Sequence, residues 1–90
     1  MKYSLFSIKD KALDTYSAPY MQATADAGIR MFRDLVYFGD ENNRYKRSPE
    51  DYTLYIVGEF DDETAELANL EKPILLTSAT EMIGENSNES

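Results

Sequence analysis

The chain has no cysteine, no histidine and no tryptophan in its 90 residues. Without cysteine no disulfide can staple the fold, and without histidine or thiolate the usual zinc sites are out of reach. The same two absences remove the commonest nucleophile–base pairs. A Ser–Lys or carboxylate arrangement would have to replace them, and nothing in the sequence has the spacing of one. A glycine-rich phosphate loop and a dinucleotide fingerprint are also missing. We therefore expect a non-enzyme that needs no cofactor and has no catalytic residues. Asp61, Asp62 and Glu63 could in principle chelate a divalent ion. Adjacent acids in one turn rarely converge, so no metal is expected there. No apolar run approaches the ~20 residues of a membrane span, and the start of the chain lacks a signal-peptide core, which reads as a soluble intracellular protein without membrane contact. A chain this short buries only somewhat over ~60% of its unfolded surface. With neither disulfide nor metal available, self-association is the remaining common support, so a homo-oligomer is expected.

Charge is abundant but uneven. The formal net charge is −8. Residues 1–47 hold eight Lys or Arg against six acids, whereas residues 48–90 hold Lys72 alone against eleven. Such a split suggests a basic working surface beside an acidic tail, although acids also simply keep a small protein soluble.

The most informative stretch is Ser48 to Glu63, SPEDYTLYIVGEFDDE. Ser48 can cap a helix, Pro49 suits the first helical position, and Glu50 and Asp51 suit the positive end of its dipole. Only one turn fits before Tyr52 to Phe60, an aromatic and β-branched run that reads as a strand. Simple alternation puts Tyr52, Leu54, Ile56 and Phe60 on a core face and Thr53, Tyr55, Val57 and Glu59 on the other. That second face is too apolar to be ordinary wet surface, so it is partly covered or used for binding.

Elsewhere, Lys2 to Asp10 reads as a strand, Lys11 to Ser17 as a polar loop, and Ala18 to Ala23 as a short second strand at an edge because of Pro19. Thr24 caps a helix over Ala25 to Phe38 with Ala25, Ile29, Phe32 and Val36 inward, Asp26, Arg30, Arg33, Asp34 and Tyr37 outward, and Gly39 as its stop. Gly28 inside it costs about 1 kcal/mol against alanine, which implies a close backbone approach. Asp40 to Arg47 reads as an exposed loop, Asp61 to Glu63 as an acidic turn, and Thr64 to Lys72 as a connection with a helical turn at Ala65 to Leu70. Pro73 to Thr80 reads as a last strand. The expected fold is a single α+β domain over residues 1–80, in the order β-β-α-β-β, with one main helix packed on a mostly antiparallel sheet of about four strands. Residues 81–90 are expected to be an acidic flexible tail.

One constellation carries chemistry. Arg44, Tyr45, Lys46 and Arg47 interleave cations with an aromatic ring, Arg30 and Arg33 precede them on the helix, and Tyr55 follows on the strand. Single-stranded nucleic acid is held by such sets, with Lys and Arg on phosphates and rings stacked on bases. Exposed Arg and Tyr on a helix also occur as a plain solvated face. An acidic protein-interaction module, binding a basic partner protein or mimicking DNA by charge, stays open as the alternative.

The segments LFSIKD, ATADAGIRMFRDLV and SPEDYTLYIVGEFDDET resemble the small nonstructural protein of gokushoviruses, single-stranded DNA phages of the Microviridae. The resemblance covers roughly residues 5–64, with three motifs in order. It departs at Gly28, where members often carry glutamate, and at Ala65, where they often carry glycine. It implies a phage protein made in the cytoplasm of an infected bacterium and absent from the virion. It further implies DNA binding and a part in genome replication, or in the switch to single-stranded synthesis and packaging, with a phage or host replication protein as a possible partner.

Overall fold

A computed structural model describes the backbone of residues 1–38 and 43–88, with side chains up to residue 84. In chain order the elements are β1 (Lys2–Asp10), β2 (Thr15–Tyr16), β3 (Tyr20–Gln22), α1 (Ala25–Tyr37), α2 (Arg44–Arg47), a 3-10 turn (Pro49–Asp51), β4 (Tyr52–Asp61), β5 (Glu66–Ser78) and α3 (Ala79–Asn88). The five strands form one antiparallel sheet in the order β2-β1-β4-β5, with β3 beside β2 on the outer edge of β1. The α+β architecture with a main helix on an antiparallel sheet is as the sequence implies.

β2 lies inside the stretch expected to be a loop. Two residues are too few to show a period, so local pattern could not reveal it. β2 and β3 share one edge of β1, and the break between them falls at Ser17 to Pro19. Ser17 carries the ladder across that break: its N–H donates to the Ile8 carbonyl at 2.9 Å, its hydroxyl oxygen accepts from the Ile8 N–H at 2.9 Å, and the Ser7 hydroxyl donates to its carbonyl at 2.7 Å. Pro19, which has no N–H to offer, sits where none is required.

The central β1–β4 pairing slips once. Phe6 pairs with Ile56 but Leu5 pairs with Gly58, so Val57 is an extra residue on β4. This bulge resets the alternation beyond it. Phe60, expected in the core face, pairs with Tyr3 and lies on the opposite face, while Glu59 pairs with Ser4 on the helix side. Opposite Val57, β5 swings out through residues 70–73, so Pro73 again sits where no ladder bond is needed. Gly58 is fixed by this arrangement, since a Cβ there would lie 2.6 Å from the Ala68 carbonyl oxygen.

All helices contributing to the core pack on one face. Phe6, Ile8, Tyr52 and Leu54 from the sheet meet Phe32 and Val36 of α1 and Ala79 and Met82 of α3, all buried, with Ile29 and Ile56 half-buried against them. Gly28 is the close approach anticipated for it: a Cβ there would lie 2.2 Å from the Phe6 ring, so a glutamate at this position would require the ring elsewhere. Tyr20 completes the contact, stacked on Phe6 at 5.3 Å and donating its hydroxyl to the Gly28 carbonyl at 2.8 Å.

Three further expectations are corrected. Residues 66–69 are strand, not a helical turn, because they pair with Gly58 to Asp61 across a tight loop. Residues 81–84 are not a flexible tail but part of α3, anchored by Met82 in the core and capped by Ser78, whose hydroxyl accepts from the Glu81 N–H at 3.1 Å. Ser48 makes no side-chain cap, and its carbonyl instead accepts from Asp51 N–H in the single 3-10 turn. Gly39, the expected helix stop, lies outside the described residues together with residues 40–42 and 89–90.

Candidate nucleic-acid interface

The basic segment is built rather than loose. Asn43 caps α2 by accepting from the Tyr45 N–H at 3.0 Å, and donates its amide to the Leu35 carbonyl at 2.7 Å, which ties α2 to the end of α1. One helical turn then presents Arg44, Lys46 and Arg47 exposed to solvent, and among the described residues none of the three forms an ion pair. Tyr45 points the other way. Its ring is half-buried against the core, edge-to-face with Tyr52 at 4.9 Å, with the Arg44 guanidinium 5.6 Å from its centre.

Beside α2 lies an open groove of about 220 Å3 between it and the β1–β2 hairpin, walled by Ile8, Asp10, Leu13, Tyr16, Arg44, Tyr45 and Tyr52 among others. It is smaller than the ~300–1,000 Å3 typical of small-molecule sites, so it suits a single ring inserted from a longer ligand. Tyr16 borders it at the sheet edge, while its half-exposed ring, paired opposite Lys9, turns to the face away from the core. Lys9 sits over the Tyr16 ring at 5.6 Å and pairs with Asp14 at 3.4 Å, and these contacts, that with Asp14 foremost, raise its pKa. Two buried or rim phenols have raised pKa values as well. Desolvation, and secondarily Tyr45, pushes Tyr20 to about 12, and desolvation, and secondarily Asp10, raises Tyr52.

The other sequence-derived candidates fall elsewhere. Arg30 is exposed on α1. Arg33 is half-buried one turn before Tyr37, whose hydroxyl donates to the Met82 carbonyl, so that side of α1 faces α3 and Tyr37 is not a free outward residue. Tyr55 pairs with Ser7 on the sheet face away from the core, where its ring meets Tyr16 edge-on at 5.7 Å. Arg44, Tyr45, Lys46 and Arg47 are thus together, whereas the Tyr55 ring lies with that of Tyr16 on the other face of the sheet. Tyr16 is the residue that sequence reasoning missed. The signal was present as Asp10 followed by Lys-Ala-Leu-Asp and Thr15, a tight turn that folds Tyr16 back opposite Lys9. Among the described residues no cluster of acids could hold a metal ion, and no helix is long and apolar enough to cross a membrane.

A sequence-family profile described as Phage ORF5 protein matches residues 3–82. The chain belongs to that family. The Phage ORF5 match runs from β1 into α3, so every wall of the groove lies inside it. No curated protein and no solved structure matches the chain.

Proposed function

We propose that this Phage ORF5 protein binds single-stranded DNA at the groove beside α2. It would act as a nonstructural, non-enzymatic protein of a microvirus in genome replication, or in the switch to single-stranded synthesis and packaging, in the cytoplasm of the infected host. The observation that carries the reading is the joining of three solvent-exposed cations on one helical turn to a ring-sized groove whose aromatic wall is Tyr45 and Tyr52. Arg44, Lys46 and Arg47 would take successive phosphates, and a base would enter the groove against the exposed side of Tyr45. A flexible single strand can turn one base into such a groove, whereas a duplex base would have to be flipped out.

The rival is an acidic protein-interaction module. Glu59, Asp61 and Glu66 gather on the helix-side face beyond the helices, around a depression of about 120 Å3 with Lys2 and Ala68, which suits a basic partner segment. Fluorescence anisotropy with labelled single-stranded DNA across a salt series separates the two. Reversing Arg44, Lys46 and Arg47 to Glu should weaken binding and reduce the slope of log affinity against log salt by ~0.7 per lost contact. Tyr45→Ala, checked for folding by circular dichroism because the ring also packs on the core, should lower affinity with little change in slope, because stacking releases no counterions. Absence of wild-type binding to single- and double-stranded DNA at ~0.1 M salt would discard the DNA reading in favour of the rival.

A further inference from the structure

The sheet has a second face that no described helix covers. The strand registers assign its occupants: Tyr3 pairs with Phe60 and Phe60 with Leu67, Leu5 pairs with Met21 and Gly58, and Ser7 pairs with Tyr55 and Tyr55 with Leu75. Cross-strand partners share a face, so Tyr3, Leu5, Met21, Phe60, Leu67 and Leu75 form one apolar surface across four strands. Leu67 is 68% exposed, Leu75 61% and Met21 46%. These are large apolar side chains side by side rather than scattered singly, which marks a surface that is covered in use. It exists because the Val57 bulge turns Phe60 to this side and Glu59 away from it.

We infer that this face is the contact between two copies of the chain, packed sheet on sheet about a two-fold axis. Three observations select a second copy over other occupants. First, of the residues the registers place on the face, Lys9 alone is charged, and Asp14 already neutralises it. A protein of net charge −8 has therefore kept its acids off this surface, and two copies can meet here without like charges opposed. Second, the same lack of free cations leaves nothing to hold phosphates, which disfavours nucleic acid on this face. Third, the size fits. Four strands spaced ~4.8 Å apart and nine residues rising ~3.3 Å each give a flat footprint of about 600 Å2. Two such faces bury about 1,200 Å2, at the threshold of a stable specific interface, before side-chain relief is counted. A two-fold arrangement is self-complementary by construction, each Leu5 region meeting its counterpart across a gap of ~10 Å between sheets. The groove beside α2 lies on the other side of the sheet edge, so a pair would carry two grooves, one per copy. The inference stands whether or not those grooves bind DNA.

Sedimentation equilibrium of the full chain across a wide concentration range is the test, with far-UV circular dichroism as the check on folding. The wild type should sediment as a dimer. The double variant Met21→Lys, Leu75→Lys should sediment as a monomer with an unchanged spectrum, because both side chains are exposed in the single chain and each would meet like charge in the pair. A wild type that stays monomeric at every concentration, or a double variant that still dimerises, overturns the inference. So does a pair broken by Leu75→Lys alone but untouched by Met21→Lys alone, since that pattern belongs to edge-to-edge pairing of β5. A monomeric wild type whose double-lysine variant binds single-stranded DNA more tightly would instead give the face to nucleic acid.

Discussion

Among the described residues, two hold a left-handed backbone without being glycine: Asp14 at φ 54° and Ala65 at φ 62°. They occupy the same place in two loops of the same design. Residues 11–14 join paired Asp10 and Thr15, and residues 62–65 join paired Asp61 and Glu66. In each loop the leading Asp carboxylate accepts backbone N–H groups, from Ala12 and Leu13 in the first and from Glu63 in the second. Asp tolerates the closing conformation, whereas a Cβ without a polar group costs roughly 1–2 kcal/mol there. Ala65→Gly should therefore raise the denaturation midpoint, by up to about 1 kcal/mol once glycine's extra unfolded freedom is subtracted. A lowered midpoint would show that the loop is not in this conformation. At Tyr20 the consequence is one of pH. Its folded pKa of about 12 exceeds the unfolded value of 10.0, so the neutral phenol contributes stability fully below pH 10 and loses it between pH 10 and 12. The melting temperature should fall over that window, and Tyr20→Phe should reduce the fall. Tyr52, also raised, would account for part of what remains.

At the level of elements, legibility followed how much of each element's cause was local. α1 was readable because its apolar spacing and Thr24 cap are written within one stretch. β1 and β4 were readable from their aromatic and branched content. The first half of β5 was not: Glu66, Leu67, Ala68 and Asn69 have weak strand preference, and the loop that folds them onto β4 decides their state. α3 was misjudged because only Met82 and Ile83 looked apolar, although Ser78 and Glu81 stand three apart as a helix-start signal. The Glu81 carboxylate takes the Thr77 hydroxyl at 2.8 Å instead of closing the full capping box. Met82 at 2% exposure should make α3 indispensable. Met82→Ala is expected to cost ~2–5 kcal/mol in a chemical denaturation curve. A change of only a few tenths would return residues beyond 80 to the status of a dispensable tail.

For the whole molecule, the basic cluster was legible as composition, but its partners were not, because they arrive through pairing at a distance. The wall that faces Arg44 and Tyr45 exists only once the β1–β2 hairpin closes, and the rings of Tyr16 and Tyr55 are carried to the far face by alternation along their strands. That dependence on distant pairing also sets the order in which the molecule can be built. The turns at residues 11–14 and 62–65 let two hairpins close within ~1–10 μs of their strands becoming available. Joining them is another matter, because Lys2 must find Asp61, with about two-thirds of the chain looped between. Such non-local closure is slow, and on a ribosome adding ~5–20 residues per second it cannot begin until several seconds after β1 emerges. Throughout that interval Phe6 and Ile8 have no β4 to lie against, and the edge of β1 that β4 will occupy is open to any passing strand. In a cell filling with newly made copies, the yield of correctly assembled protein is then governed by the crowding of nascent chains rather than by the stability of the finished fold.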